Sequence, residues 1–127
     1  MAIGSVLTNS FKTELLKGFH SFDTSGATPA GSVFKIALYN SSADLGTTTT
    51  AYTTTEELAT ATGYTRPGNT LTNTGVGVST VTSYTDFTDT SWTSASFTAR
   101  GCLIYNSSSI TGLTTDAAVC SIDFGGD

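Results

Sequence analysis

The sequence predicts a mainly β protein: an antiparallel β-sandwich or jelly-roll-like fold with one short N-terminal amphipathic helix. Three observations support this class. Of the 127 residues, 27 are Thr and 16 are Ser, and the β-branched Thr suits a pleated, half-exposed surface. Apolar and polar residues alternate with a period of two in several segments, as they do in strands. Turn residues separate these segments at a spacing that fits six to eight short strands.

The totals favour a single β-sandwich domain over residues 1–127. A hydrophobic content of 38% together with 13 Gly is ordinary for a folded chain of this length. The net charge is −5 and the five basic residues are scattered, which argues against nucleic-acid binding. No apolar run approaches the roughly 20 residues that span a bilayer. The first seven residues lack the basic and apolar regions of a secretory signal, so we expect a soluble protein made in a cytoplasm, without nucleic-acid or membrane partners.

One segment near the N-terminus predicts a helix of two or three turns. Ser10 is the predicted N-cap, and apolar residues follow it at helical spacing. These residues are Phe11, Leu15, Leu16 and Phe19. A helix this short is marginal alone, so we expect its apolar face to lie on the β domain. Residues 21–31 then carry the Asp, Gly and Pro typical of a loop.

Period-two alternation and short apolar runs predict the strands. The predicted segments are Val33–Tyr39, Leu71–Asn73, Val76–Val81, Tyr84–Thr88, Trp92–Ala99, Cys102–Tyr105 and Ala117–Phe124. We expect Gly75 and Gly77 to break the strands in which they lie. Residues 53–59 fit either a strand end or one helical turn.

The same alternation predicts which side chains share a face. In Trp92–Ala99, we expect Trp92 to face away from Phe97. In Ala117–Phe124, we expect Ala118 and Cys120 to face the same way. In Val33–Tyr39, the apolar residues at 34, 36 and 38 share one face.

The residue types of common active sites are nearly missing. The only histidine is His20, and a Ser or Thr nucleophile would need it as a base. A lone His beside two Phe residues is more typical of packing or capping. Glu56 and Glu57 are adjacent and face opposite ways in an extended chain, so they make a poor glycosidase pair. The sequence therefore predicts no enzyme, no catalytic residue and no cofactor.

The sequence also gives little indication of a metal site or of reactive cysteines. Asp86 and Asp89 lack the spacing of a calcium loop, and we expect no metal site. Cys102 and Cys120 are either a disulfide or two free core thiols, and cytoplasmic folding favours the free thiols.

The few basic residues include two arginines near predicted strand ends, Arg66 and Arg100. Each is either a surface or intrachain-paired arginine, or a member of an intersubunit ion pair, for which the guanidinium fork is well suited.

Five motifs occur along the chain in a fixed order. They are Phe11–Leu16 (FKTELL), Phe34–Tyr39 (FKIALY), Gly63–Thr65 (GYT), Ala99–Asn106 (ARGCLIYN) and Ile122–Asp127 (IDFGGD). In this order they resemble small virion structural proteins of tailed bacteriophages, and the resemblance spans nearly the whole chain. The resembling proteins usually continue into a further strand after the last motif, so we expect either that a neighbouring subunit completes the sheet or that the terminus is shorter.

The resemblance implies a β-sandwich subunit used in many copies. The leading hypothesis is a capsid decoration (cement) protein that binds the major capsid protein and stabilises the head. It would be assembled in the host cytoplasm and form a homotrimer on the capsid surface of the virion. The alternative is a tail, neck or fibre protein that binds a receptor, with Trp92, Tyr64 or Tyr84 stacking on glycans. A weaker third hypothesis is a hydrolase of cell-wall polymer.

Interface residues follow from the same hypothesis. Two interpretations are open for Met1 to Leu7. The segment is either part of an N-terminal arm (residues 1–9) that contacts a neighbouring subunit, or it is the first strand of the chain's own sheet. The candidate interface residues are Ile3, Val6, Leu7, Phe11, Leu15, Arg66 and Arg100.

Overall fold

The computed structural model describes residues 2–24 and 31–126. In this part the chain is mainly β, with two antiparallel sheets and one short helix, an arrangement consistent with a β-sandwich, so the predicted fold class is confirmed. The elements are β1 (Val6–Leu7), α1 (Asn9–Leu16), β2 (Phe34–Tyr39), β3 (Asn69–Leu71), β4 (Asn73–Ser79), β5 (Thr82–Phe87), β6 (Gly101–Asn106) and β7 (Ala117–Asp123). Of the loop predicted over residues 21–31, positions 25–30 lie outside the described residues.

The larger sheet has five strands in the order β1-β7-β6-β2-β3, and all neighbours run antiparallel. Its central strands are buried on both faces. In β2, Phe34 and Leu38 are buried on one face while Ala37 and Tyr39 are buried on the other. When both faces of a sheet are covered, the side chains on both faces of the strand must be apolar. The sequence of β2 is therefore a nearly continuous apolar run.

One face of the sheet is covered by the N-terminal segment and the loop after β2. Ile3 and Leu45 form a parallel bridge and are both buried on this face. Tyr52, from the same loop, stacks on Tyr105 of β6 with ring centroids 4.7 Å apart. Ala43 is also buried here. A loop of mostly polar residues therefore supplies apolar side chains where a second sheet would otherwise be needed.

The opposite face carries two apolar clusters. The first joins α1 to the sheet through aromatic rings: Phe11, Phe22, Phe34 and Phe87. The second lies further along the sheet and contains Leu38, Tyr64 and Cys102, with Trp92 and Phe97 packed against them.

The second sheet is the hairpin β4–β5. Strand β4 continues through Gly75 and Gly77, so the predicted break at these glycines is wrong. Its pairing with β5 shifts register between Asn73 and Val76. The Tyr84 ring lies over Gly77, where a Cβ would come within 2.7 Å of the ring. Gly77 therefore accommodates the ring without ending the strand.

The helix begins two residues earlier than predicted. Thr8, fully buried, is the N-cap: its hydroxyl accepts from the Phe11 N–H at 3.2 Å and donates to the Ala118 carbonyl at 3.1 Å. The predicted cap, Ser10, lies inside α1. The predicted apolar face is also wrong in part, because Leu16 is 91% exposed whereas Glu14 is buried. The partner of Glu14, described below, accounts for its burial.

Two predictions about strand faces are wrong for local reasons. Residues 92–99 form no strand, Ser94 has φ of 51°, and Trp92 and Phe97 pack on the same cluster. The pairing of β7 with β6 shifts register between Ile104 and Tyr105. Because of this shift, Ala118 faces one side of the sheet and Cys120 faces the other. A bulge of this kind adds one residue to one strand and is invisible to a period-two pattern.

The N-terminal segment lies in the chain's own sheet. Val6 pairs with Ser121 and Leu7 with Cys120, so β1 forms the edge of the five-stranded sheet beside β7.

Replacement of Thr8 by Ala removes the cap of α1 and the link from α1 to β7. We expect the free energy of unfolding to fall by about 1–2 kcal/mol, measured by urea denaturation. The matched control is Thr13→Ala, the same change at an exposed position of α1, which we expect to change it by less than about 0.5 kcal/mol. An equal loss in both variants would contradict the assignment of the cap.

Candidate functional site

The candidate site is an apolar groove of about 470 Å³ between α1, the hairpin and the sheet edge formed by β1 and β7. We call it the apolar groove. Its lining residues are Leu7, Phe11, Leu15, Phe22, Val76, Ser83, Tyr84, Thr85, Phe87, Ile104, Val119 and Cys120. None of them is charged. A concave, apolar site of this size falls in the range of binding pockets.

Three elements form the walls of the apolar groove. Leu15 of α1 and Leu7 of β1 are 44% and 49% exposed, while Val76 and Tyr84 of the hairpin are 63% and 51% exposed. Phe11 is buried at the base of α1. The walls therefore keep apolar surface in water, and clustered exposed apolar residues of this kind are typical of binding surfaces.

The apolar surface continues along β7. Leu7 lies opposite Cys120, and Ile122 follows two residues later on the same face of the strand. Ile122 and Phe124 are 39% and 52% exposed. This row extends the apolar groove along the sheet edge.

The apolar groove brings together three of the predicted interface residues: Leu7, Phe11 and Leu15. Val6 is half-buried in β1, beside them in sequence. Ile3 lies elsewhere, buried on the opposite face of the sheet. Its side chain is part of the chain's own core.

Both arginines form ion pairs within the chain. Arg100 Nε donates to Asp123 Oδ1 at 2.8 Å, and this contact lowers the pKa of Asp123. Arg66 Nε lies 3.4 Å from Glu57 Oε2 and donates to the Leu58 carbonyl at 2.8 Å. Arg66 also donates to the Glu57 carbonyl. The guanidinium forks are therefore engaged in fixing neighbouring segments of the same chain.

Glu57 is the centre of a buried polar cluster. Tyr64 donates to Oε1 at 2.7 Å and Tyr52 donates to Oε2 at 2.6 Å, and the Glu57 side chain is fully buried. Burial raises the pKa of Tyr64 and of Tyr52, and the carboxylate beside each hydroxyl raises it further. The adjacent Glu56 is exposed and receives a hydrogen bond from Asn40 at 2.8 Å. The two carboxylates thus do not converge on one site.

His20 lies in a second buried cluster, between α1 and the end of β6. Its Nε2 is 3.0 Å from Glu14 Oε2, and its Nδ1 is 3.0 Å from Asn106 Nδ2. The Ser108 N–H donates to Asn106 Oδ1 at 2.9 Å, which orients the amide so that its NH₂ group faces the ring. His20 Nδ1 is then the acceptor and Nε2 carries the proton that is donated to Glu14.

In the described part of the chain, neither cluster places an exposed acid–base pair at the apolar groove. His20 is 5% exposed and Glu57 is 3% exposed, and both side chains are hydrogen-bonded inside the chain. Among the residues that the structure describes, no group of three His, Cys, Asp or Glu side chains could hold a metal ion. In the same residues, no helix has the length and apolar character to cross a membrane. The chemistry that the groove itself offers is apolar contact.

The aromatic residues considered for glycan stacking differ in position. Tyr64 is buried, and Trp92 is half-buried with Phe97 edge-on to it at 6.4 Å. Both are core residues. Tyr84, at the apolar groove, is the exposed one.

Both cysteines are free thiols. Cys102 lies opposite Ile122, and Cys120 lies opposite Ile104, so the two cysteines are diagonal neighbours on adjacent strands. Diagonal positions lie roughly 7–8 Å apart, beyond the usual span of a disulfide. Burial raises the pKa of Cys102 to about 12 and that of Cys120 to about 11.

Of the hairpin residues, only Tyr84 was among the predicted contact residues, as a candidate for glycan stacking. Val76, Val78 and Val81 were predicted only as strand positions. The available signal is the lack of charge: between Asn73 and Phe87 the only charged residue is Asp86. A hairpin with a single charged residue and several exposed valines is unusual for a surface that faces only water.

Comparisons of the chain with protein-family models, with curated proteins and with solved structures gave no match.

The Glu57 cluster predicts that replacing this one carboxylate by an amide strongly lowers the stability of the fold. In Glu57→Gln the charge and one acceptor are lost, while Tyr52 and Tyr64 stay buried. We expect the free energy of unfolding to fall by about 2–4 kcal/mol, measured by urea denaturation. Glu56→Gln is the matched control, since it makes the same change at the adjacent exposed position, and should cost less than about 0.5 kcal/mol. Equal values for the two variants would contradict the role given to Glu57.

The raised thiol pKa values predict inert cysteines in the native state. At pH 8, roughly one thiol in a thousand or fewer is ionised at pKa values this high, so we expect negligible labelling by a thiol reagent such as DTNB. Two thiols per chain should react once urea unfolds the protein. The stability linked to these thiols is present below their ordinary pKa and declines as the pH rises towards 11–12. Rapid labelling of the folded chain at pH 8 would show that the thiols are accessible.

Proposed function

We propose that this chain is a virion structural protein, and that it acts as a capsid decoration (cement) protein which binds the major capsid protein and stabilises the head. The observation that carries the proposal is the apolar groove: it is uncharged, exposed, and lies on a chain whose buried carboxylates and imidazole are hydrogen-bonded internally. Such a surface suits protein contact. The five ordered motifs that resemble small phage virion proteins support the same assignment.

Stabilisation by such a protein would come from contact area. An interface of about 800 Å² per partner is sufficient for a specific complex. A ligand that binds only the assembled capsid shifts the equilibrium towards it, and hundreds of copies add their effects. We propose a homotrimer, because trimers match the local threefold positions of a capsid lattice, an argument from analogy.

We propose that the protein is not an enzyme. Turnover would need a base and a nucleophile that meet in an accessible site. The buried His20 and Glu57 lie in separate clusters, each saturated by intrachain hydrogen bonds. Degradation of cell-wall polymer by the purified chain, abolished by His20→Gln without loss of fold, would overturn this part of the proposal.

The test is the copy number and position of the chain in purified virions. We expect quantitative mass spectrometry to give hundreds of copies per particle, and gold-labelled antibody to decorate the head in electron micrographs. Particles that lack the protein should lose their genome at a lower temperature than complete particles.

Other results would separate the alternatives. A dozen or fewer copies, labelled at the tail, would replace decoration by the tail, neck or fibre function. Absence of the chain from the particles would overturn the virion assignment as a whole.

A further inference from the structure

We propose that the buried cluster of His20, Glu14 and Asn106 is an acid-sensitive switch, in which gain of a proton by His20 releases the segment that follows β6. The inference does not rest on the virion assignment. His20 is the only histidine of the chain, and histidine is the side chain that ordinarily changes charge between about pH 5 and 8. A conformational response of the chain in this range therefore has one candidate side chain.

The hydrogen bonds of the cluster fit only the neutral imidazole. The Ser108 N–H donates to Asn106 Oδ1 at 2.9 Å, so the Asn106 amide presents its NH₂ group to the ring. His20 Nδ1, 3.0 Å from that group, accepts, and the single ring proton lies on Nε2, 3.0 Å from Glu14 Oε2. His20 is 5% exposed and Asn106 is 0% exposed, so water has little access to either bond.

A second ring proton places two donors face to face. An imidazolium donates from both nitrogens, so the Nδ1–H of His20 meets the NH₂ group of Asn106. Reversal of the amide gives Nδ1–H an oxygen acceptor, but it turns the NH₂ group towards the Ser108 N–H. Either arrangement leaves a buried donor without its acceptor, which is unfavourable. The cluster therefore cannot keep all three of its hydrogen bonds once His20 is charged.

The ring of His20 is held more firmly than the amide of Asn106. Nε2–H donates to the Glu14 carboxylate, and a positive charge on the ring strengthens this hydrogen bond. Phe11 packs edge-on to the ring with centroids 4.9 Å apart, and Phe34 stacks on it at 6.4 Å. We therefore expect the ring to stay in place and the Asn106 amide to turn, with loss of the bond from the Ser108 N–H.

The other charged groups on the elements around His20 lie away from the ring. Lys12 and Lys17, at α1, are exposed. Lys35 of β2 follows Phe34 and so lies on the opposite face of the sheet. The sequence of β6, GCLIYN, contains no charged residue. Glu14 is thus the charged group that faces the imidazole from these elements.

The segment after β6 holds the start of β2. The Ser107 N–H donates to the Val33 carbonyl at 2.8 Å, and the Val33 N–H donates to the Ser108 hydroxyl at 2.7 Å. Val33 immediately precedes β2. The bond from the Ser108 N–H to Asn106 fixes the turn that directs the Ser108 hydroxyl at Val33. Loss of this bond therefore loosens the joint between the end of β6 and the start of β2.

The test is amide hydrogen exchange of the purified full chain at pH 8 and pH 5, the limits between which a histidine ordinarily titrates. Rates are followed by NMR and expressed as protection factors, which removes the intrinsic pH dependence of exchange. We expect the protection of the Ser108 and Val33 amides to fall about tenfold at pH 5, the scale of one lost hydrogen bond. The Leu58 amide, bonded to the Leu38 carbonyl at 2.9 Å near the other end of β2, is the internal reference and should keep its protection.

Asn106→Asp is the matched variant, because it keeps the shape of the side chain and replaces the NH₂ donor by an oxygen. A carboxylate accepts both from the Nδ1–H of His20 and from the Ser108 N–H. We therefore expect the loss of Ser108 protection at pH 5 to disappear in this variant. If the variant does not fold, the wild-type comparison alone decides the inference.

Three outcomes would overturn the proposed switch. The first is equal protection of Ser108 in the wild type at both pH values. The second is a parallel fall at Leu58, which would show general unfolding. The third is the same fall at Ser108 in a folded Asn106→Asp variant. The copy number of the chain in virions is unaffected by these outcomes, so the two proposals can fail separately.

Discussion

The fold depends on the buried carboxylate of Glu57, because it joins the covers of both faces of the five-stranded sheet. Tyr52, which donates to one carboxylate oxygen, stacks on Tyr105 on one face; Tyr64, which donates to the other, packs with Leu38 and Cys102 on the opposite face. The segment around Glu57 also pairs with β2 beyond the end of β3. The Leu38 N–H donates to the Tyr64 hydroxyl. The Glu57 side chain thus connects a sheet edge with two covering loops. A buried charge in this position is tolerated only because it is hydrogen-bonded.

The sequence predicts well the elements whose environment is regular. The runs at β2, β6 and β7 are apolar because these central strands are buried, and their positions follow from that alone. The prediction fails where tertiary contacts override the local pattern. Ser10 has the chemistry of a cap, yet Thr8 takes the role because it also reaches the Ala118 carbonyl. Residues 92–99 alternate in hydrophobicity, yet their aromatic residues pack on one cluster.

The candidate site was predictable only in part, for a related reason. Leu7, Phe11 and Leu15 are apolar residues near the N-terminus and were identified from the sequence. The valine of the hairpin wall, Val76, was not, because exposed valines and buried valines are identical in sequence, and exposure depends on what the rest of the chain leaves uncovered. The same holds for Glu57, whose burial depends on two tyrosines and an arginine that lie five to nine residues away along the chain.

The distribution of charge connects the interior to the surface. Two ion pairs lie within the chain, Arg66 with Glu57 and Arg100 with Asp123, and the Glu14 carboxylate is hydrogen-bonded to His20. The hydroxyls of Thr and Ser keep the remaining surface hydrated without adding charge. Desolvating a hydroxyl costs far less than desolvating an ion, so a surface of this composition can be exposed in the free protein and still be buried in a contact. The lack of charge in the lining of the apolar groove therefore lowers the cost of burying this surface.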